Sequence, residues 1–273
     1  MERATADIIP DCLIDKIVSY LSFDKAAQTS ILSKAWLLAW LIHPNLIFSI
    51  HYYKDMNIVN KIMERYRDGK IPIDKFTFSI LMSGSREVFL VIDKWLGIAV
   101  QNGVKDVVCT GFFRTLYPFP ILTSKSLREL VLTDCDLMHL SSSSSHGVNC
   151  DSLEKLSLSG VRLDDNMLQT LLSSCPLIVN FVVEDCIGLE NIELLRLQKI
   201  RSVSIRTKRN RYVKIHAPTL EHLFCFGALK DPPTLDIAEC PNLKSLELSR
   251  VKIYIMRSTG KIWNWTTEFV PPK

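Results

Sequence analysis

Eight cysteines, six histidines and one short basic run are the residues of this 273-residue chain from which covalent, metal or phosphate chemistry could be built. The cysteines (Cys12, Cys109, Cys135, Cys150, Cys175, Cys186, Cys225 and Cys240) form no C-x-x-C pair and have no His-x-His companions, so a zinc site is not expected. Most lie in or beside apolar stretches, where a thiol behaves as a small hydrophobe, and they read as reduced and intracellular. The histidines stand alone, and no Walker loop, nucleophile elbow, H-E-x-x-H or paired-carboxylate pattern is present. The D-G-K at 68–70 reads as a turn. The basic run RTKRNR, Arg206 to Arg211, could grip a phosphate or nucleic acid, yet no aromatic residues interleave with it for base stacking. It follows a predicted strand end, where a solvated loop is expected. No catalytic residue, metal or cofactor is expected, which leaves binding as the function class.

Composition narrows the partner. Hydrophobic residues make up 47% of the chain, enough for a sizeable core, and the net charge of +4 is nearly balanced. No long-range field draws the chain to nucleic acid or to a membrane surface. The opening MERATAD lacks the basic-then-apolar pattern of a signal segment. The greasiest run, Ala35 to Ile50, is broken by His43 and Pro44 well short of a span. The sequon at Asn264 is then a chance match, and the expected location is the nucleus and/or the cytoplasm. Neither nucleic acid nor a membrane is expected as a partner, and composition alone names no other.

The elements that would present a binding surface are repeats. Leu127-x-x-Leu130-x-Leu132 returns at Leu153, Leu156 and Leu158; at Ile178, Phe181 and Val183; at Ile200, Val203 and Ile205; at Leu220, Leu223 and Cys225; and at Leu243, Leu246 and Leu248. The steps are 26, 25, 22, 20 and 23 residues, inside the interval of roughly 20–29 that marks leucine-rich repeats. Weaker copies precede them at Ile73, Phe76, Phe78 and at Val104, Val107, Cys109, with a helical pattern over Arg86–Gln101 between, capped by Ser85. Alternate side chains of a short strand face opposite ways, so the second and third apolar residues of each unit point inward. One unit cannot bury that edge, but stacked units can. The fold class that follows is α/β: an N-terminal three-helix module and then an irregular solenoid, with a curved parallel sheet on the concave side and helices or loops on the convex side. Residues 1–48 form the module, 49–72 a connector, and 73–273 about eight irregular repeats with a short C-terminal cap that includes Trp263 and Trp265. Ser141–Ser145 reads as a loop insertion and Asn166–Ser173 as a short helix.

The same alternation predicts the concave face. It is mostly small and polar, with Val131, Val182 and Arg206 among its members. His222, Phe224 and Phe226 depart from it, as apolar groups where solvent-facing ones are expected. They are either a target-binding cluster or the sign of a register slip or a covering loop at this unit.

The first forty residues have a different rhythm. After Pro10 and Asp11, residues Leu13, Ile14, Ile17, Val18 and Leu21 recur at helical steps; Asp24 can cap a second helix and Ser33 a third that carries Trp36, Leu37 and Trp40. So short a module cannot bury all of these groups internally. The surplus either packs on the repeats or meets a second protein.

Residues 8–40, IIPDCLIDKIVSYLSFDKAAQTSILSKAWLLAW, resemble an F-box, and the variant TSILSKAW is similar to the plant F-box/leucine-rich-repeat family, including members with a C-terminal FBD segment. IDKWL at 92–96, GVKD at 103–106, SKSLREL at 124–130 and CPL at 175–177 extend the resemblance. It implies the substrate-recognition subunit of an SCF-type cullin-RING ubiquitin ligase, itself non-catalytic, whose box docks a Skp-type adaptor and whose repeats bind an unknown target protein. The family's box-opening Leu-Pro corresponds to Ile9 and Pro10. Its adaptor-facing apolar residues correspond to Leu13, Ile17 and Leu21, and its L-S-x-x-W to Leu32, Ser33 and Trp36. Ala35 stands where many members carry a second basic residue. Some plant relatives of this type hold an inositol phosphate, a role open to the 206–211 run. The alternative is a repeat scaffold or ligand sensor that never joins a ligase, with Leu13, Ile17 and Trp36 serving only to glue the helices to the repeats.

Overall fold

The computed structural model describes residues 9–80, 86–111, 121–138, 149–195, 197–208, 211–238, 240–256 and 262–266. It begins with three short helices, α1 (Asp11–Tyr20), α2 (Phe23–Thr29) and α3 (Lys34–Leu41). Ile14, Val18, Ala26, Trp36 and Ala39 close a small core between them, with Ile9, Leu21, Ala35 and Trp40 against it. The second helix starts two residues earlier than expected: Ser22 is its N-cap and Asp24 lies in the first turn, where a carboxylate still favours the positive end of the helix.

A nine-stranded parallel sheet follows, in the order β1 (Asn45–Ile50), β2 (Lys75–Ile80), β3 (Asp106–Gly111), β4 (Glu129–Thr133), β5 (Lys155–Ser159), β6 (Asn180–Glu184), β8 (Ser202–Arg206), β10 (His222–Phe226) and β12 (Ser245–Ser249). Every strand from β2 onward is one of the predicted repeat strands, and the register joins equivalent positions, as in Leu130↔Leu156↔Phe181↔Val203↔Leu223↔Leu246. The inward pair is buried at each unit from β2 to β10, for example Leu156 with Leu158 and Leu223 with Cys225. Just beyond the strands the backbone ladder continues: Asp134 N–H donates to Ser159 O (2.8 Å), Gly160 to Glu184 O (2.8 Å), Asp185 to Arg206 O (2.9 Å), Thr207 to Phe226 O (2.9 Å) and Gly227 to Ser249 O (2.9 Å). Several of these residues turn through left-handed backbone, Asp134 (φ 55), Gly160 (φ 62) and Asp185 (φ 47) among them.

The other layer changes character along the chain. In the first half it is helical: α4 (Tyr53–Gly69), α5 (Arg86–Gln101), a 3-10 turn at Ile121–Thr123 and α6 (Asp165–Ser173). The last begins one residue before its expected start, where the Asp164 carboxylate accepts from Met167 N–H at 2.7 Å. The second half departs from the expectation of helices or loops. There β7 (Asn191–Leu195), β9 (Tyr212–His216), β11 (Thr234–Ala238) and β13 (Lys252–Met256) form a second parallel sheet, closed by antiparallel β14 (Ile262–Thr266). The physical reason is length. Units of 20–23 residues hold two five-residue strands and their turns, and leave too little chain for a helix.

The segment expected as a connector, 49–72, contains the end of β1 and the whole of α4. Met56, Val59, Met63 and Tyr66 of α4 are buried in the main core. Ser85, Ser141–Ser145 and the side chains of Trp263 and Trp265 lie outside what the structure describes. The buried cysteines sit where the sequence placed them, in the core, and burial pushes the thiols of Cys135, Cys186 and Cys225 up to about 12.

The module and the solenoid share one joint. Phe23 belongs to the main core and packs edge-on against Phe48 of β1 at 5.5 Å, while Trp40 touches both cores. His43 is fully buried; its Nε2 faces the carbonyls of Val18 (3.1 Å) and Leu21 (3.3 Å), and its Nδ1 lies against Asn45, 3.0 Å from the N–H and 2.8 Å from the carbonyl. Tyr66 Oη donates to His43 O at 2.7 Å.

Two stability predictions follow from this packing. Trp36→Ala empties a buried site in the smallest core and should cost about 3 kcal/mol, read as a lower urea midpoint. Burial alone pushes the Asp93 carboxyl on α5 up to about 6. The folded value exceeds the unfolded 3.8, so the contribution of this group to stability is fully present below about pH 4 and is lost as pH rises through 6. Asp93→Asn should therefore gain about 1 kcal/mol at pH 7.5, the figure being discounted for a half-exposed group. That gain should vanish near pH 4 in melting curves taken across the range.

Candidate protein interfaces

Two surfaces collect the residues singled out by sequence. The first is the helical module. In α1 the stripe Ile14 and Val18 packs inward, while Leu13 (50% exposed), Ile17 (39%) and Tyr20 (79%) form a second apolar stripe at i, i+4 and i+7 that stays in solvent. The α2–α3 turn exposes Ile31 and Leu32, at 86% and 52%. Helix α3 reads KAWLLAWL; it turns Trp36 and Ala39 inward and leaves Leu37 and Leu38 exposed, with Ile42 just beyond.

The eight expected adaptor contacts therefore divide. Pro10, Leu13, Ile17 and Leu32 are exposed. Ile9 and Leu21 are half-buried against the module core, and Ser33 is the half-buried N-cap of α3 without a side-chain cap bond. Trp36 is 6% exposed, with its indole N–H buried and unpaired; its place is inside the module. Sequence reasoning did not place Tyr20, Ile31, Leu38 and Ile42 among the adaptor contacts. The signal was present in an almost wholly apolar α3, which has only one face to bury.

The second surface is the outward face of the nine-stranded sheet. The register aligns it into rows, the middle one running Ile47, Thr77, Val108, Val131, Ser157, Val182, Ser204, Phe224 and Glu247. Val131 and Val182 are half-buried there, low and flat among serine and threonine neighbours. Frame is kept at β10: Leu223 and Cys225 point inward, so His222, Phe224 and Phe226 do face outward, His222 exposed and both rings half-buried. The first row is charged from β2 to β5 and partly self-paired there, as Lys155 with Glu129 at 2.6 Å.

The described cations of the basic run have different neighbours. Arg206 ends β8 on the outward face, while Lys208 is held by the Asp185 carboxylate at 2.6 Å. Arg209 and Asn210 lie outside the described residues. Among the described residues no group of three or more histidine, cysteine or acidic side chains could hold a metal ion, and no helix is long and apolar enough to cross a membrane.

The comparisons with known proteins agree with this architecture. A family model described as "FBD-associated F-box protein At5g56370, LRR repeats" matches residues 92–264. Among curated proteins of Arabidopsis thaliana, the F-box/FBD/LRR-repeat protein At2g26030 is 26% identical over 79% of this chain and 51% of its own length. The putative F-box protein At1g49610 is 28% identical over 94% of this chain and 66% of its own length. The FBD-associated F-box protein At4g10400 is 28% identical over 78% of the chain and 53% of its own. The chain thus spans about half to two thirds of the length of the curated relatives it matches. With more than half of its residues matched by the family model, this chain belongs to the leucine-rich-repeat family of the FBD-associated F-box proteins.

Proposed function

We propose that the protein is the substrate-recognition subunit of an SCF-type ubiquitin ligase, with the helical module docking a Skp-type adaptor and the outward sheet face holding a target protein. The observation that carries this reading is the second apolar stripe of α1. Leu13, Ile17 and Tyr20 stay in solvent although Ile14 and Val18 on the same helix already satisfy the module's own core. Exposed apolar groups grouped on one element mark an interface, and curated relatives of this chain carry F-box in their names. Pro10 and Leu32 would join the same contact. Trp36 would act from inside, by fixing α3 against α1.

Under this reading the chain performs no covalent step. Holding a target's lysines beside a ubiquitin-charged enzyme raises their effective concentration, and that is the whole of its catalytic contribution. A nuclear or cytoplasmic location suits the role. The second reading, a repeat scaffold outside any ligase, has the exposed stripe serve another partner.

Co-migration with the Skp-type adaptor on a sizing column separates the two. The native protein should shift to the complex position, and Leu13→Asp with Ile17→Asp should abolish the shift while leaving the melting temperature within a few degrees, because both side chains are already half in water. A native protein that elutes apart from the adaptor would refute the ligase reading.

A further inference from the structure

The outward face is not uniform, and its C-terminal end has a feature absent from the rest. Phe226 of β10 lies between two strands that each supply a guanidinium group: Arg206 from β8 places its Cζ 5.3 Å from the ring centroid, and Arg250, directly after β12, places its own at 4.9 Å. Each contact is a cation–π interaction. Neither cation is closely neutralised. Arg206 comes only to 3.9 Å of Glu184, and no carboxylate pairs with Arg250 among the described residues. Elsewhere on the chain, cations such as Lys155, Lys208 and Lys244 meet their acids at 2.6–2.7 Å.

The two arginines are also held in place. Arg250 turns through left-handed backbone at φ 57. Its carbonyl sits against Gly227, where a Cβ would come within 2.1 Å of it, and Gly227 N–H donates to Ser249 O at 2.9 Å. Arg206 is fixed in register with Phe226. Beside them Phe224 stands in the middle row between Ser204 and Glu247. The acids nearby are Glu184 in the row of Phe226, Glu247 beside Phe224, and Asp185, whose carboxylate is taken by Lys208 at 2.6 Å. None forms a short ion pair with the two arginines.

Two guanidinium forks that flank one aromatic ring, neither of them in a short ion pair, suit an oxyanion that each can grip bidentately, and a half-buried phenylalanine next to them suits an apolar side chain. We infer that the Arg206–Phe226–Arg250 cluster, with Phe224, recognises a segment of the target protein in which an anionic side chain is followed by an apolar one. This deepens the proposed target-binding role of the sheet and rests on it. The anion is a carboxylate or a phosphoryl group; the two share the chemistry that the guanidinium forks read.

The test uses the full chain and three fluorescein-labelled pools of twelve-residue peptides, degenerate except for a fixed central pair: Glu-Leu, phosphoserine-Leu or Gln-Leu. Fluorescence polarisation should show at least one anionic pool binding about tenfold tighter than the Gln-Leu pool, and which of the two it is identifies the anion. Arg206→Gln and Arg250→Gln should each reduce that advantage about tenfold, as should raising salt to 0.5 M, whereas Lys155→Gln on the same face should leave it unchanged. Should a glutamine variant unfold, Arg250→Lys reads the same contact, since it keeps the charge and loses the fork. Equal binding of the Gln-Leu pool, no binding by any pool, or indifference to both arginine substitutions would overturn the inference. Adaptor co-migration is scored on the same preparations. Anionic selectivity without adaptor binding overturns the ligase reading alone, and adaptor binding without selectivity overturns only the inference made here.

Discussion

Everything in this molecule depends on the register of one parallel sheet. A five-residue strand such as Lys155–Ser159 buries two side chains, Leu156 and Leu158, each worth roughly 1.5–3 kcal/mol in transfer from water. Ordering the same five backbones costs a comparable amount, so no unit is stable by itself. Stability comes from neighbours stacked so that Leu130, Leu156 and Phe181 fall in line, with the ladder carried past the strand ends by Asp134, Gly160, Asp185, Thr207 and Gly227. The inward positions are then committed to the core. What remains free to differ from unit to unit is the outward face, and that is where a partner can be told apart from other proteins.

The helical module obeys a different constraint. Its private core is small, and it borrows from the solenoid through Phe23, Trp40 and His43. An imidazole that bonds α1 carbonyls on one side and the start of β1 on the other fixes their separation, because both ring nitrogens are used. Apolar surface on the far side of α1 and along α3 is left over once that joint is made.

Much of this was legible in the sequence. The L-x-x-L-x-L spacing located eight of the nine strands of the main sheet because it records a side-chain alternation that the fold cannot change. It missed β1, where Leu46, Phe48 and Ile50 alternate but lie directly behind the helices and lack the leading apolar residue three positions earlier. The second sheet escaped for a related reason. Ile192 with Leu194, and Val213 with Ile215, show only one period of alternation, too little to distinguish a strand from a polar loop with two apolar residues. At the interfaces, spacing identified which α1 residues share a face, yet it could not say whether Trp36 or Leu37 and Leu38 face inward. All are apolar, and only packing against α1 decides. The paired arginines at Phe226 were invisible, because Arg206 and Arg250 lie 44 positions apart in the sequence and meet only through the strand order β8–β10–β12.

The change of layer after α6 has a mechanical consequence. Strands repeat about every 4.8 Å, whereas a helix with its side chains is about 10 Å across. Where helices back the sheet, the outer layer needs more arc than the inner one, and the stack is obliged to bend. From β7 onward strand backs strand, both layers advance at the same pitch, and that obligation disappears. The layer geometry puts the obligation to bend in the half of the molecule nearest the helical module, and leaves the ground on which Phe224 and Phe226 stand free of it.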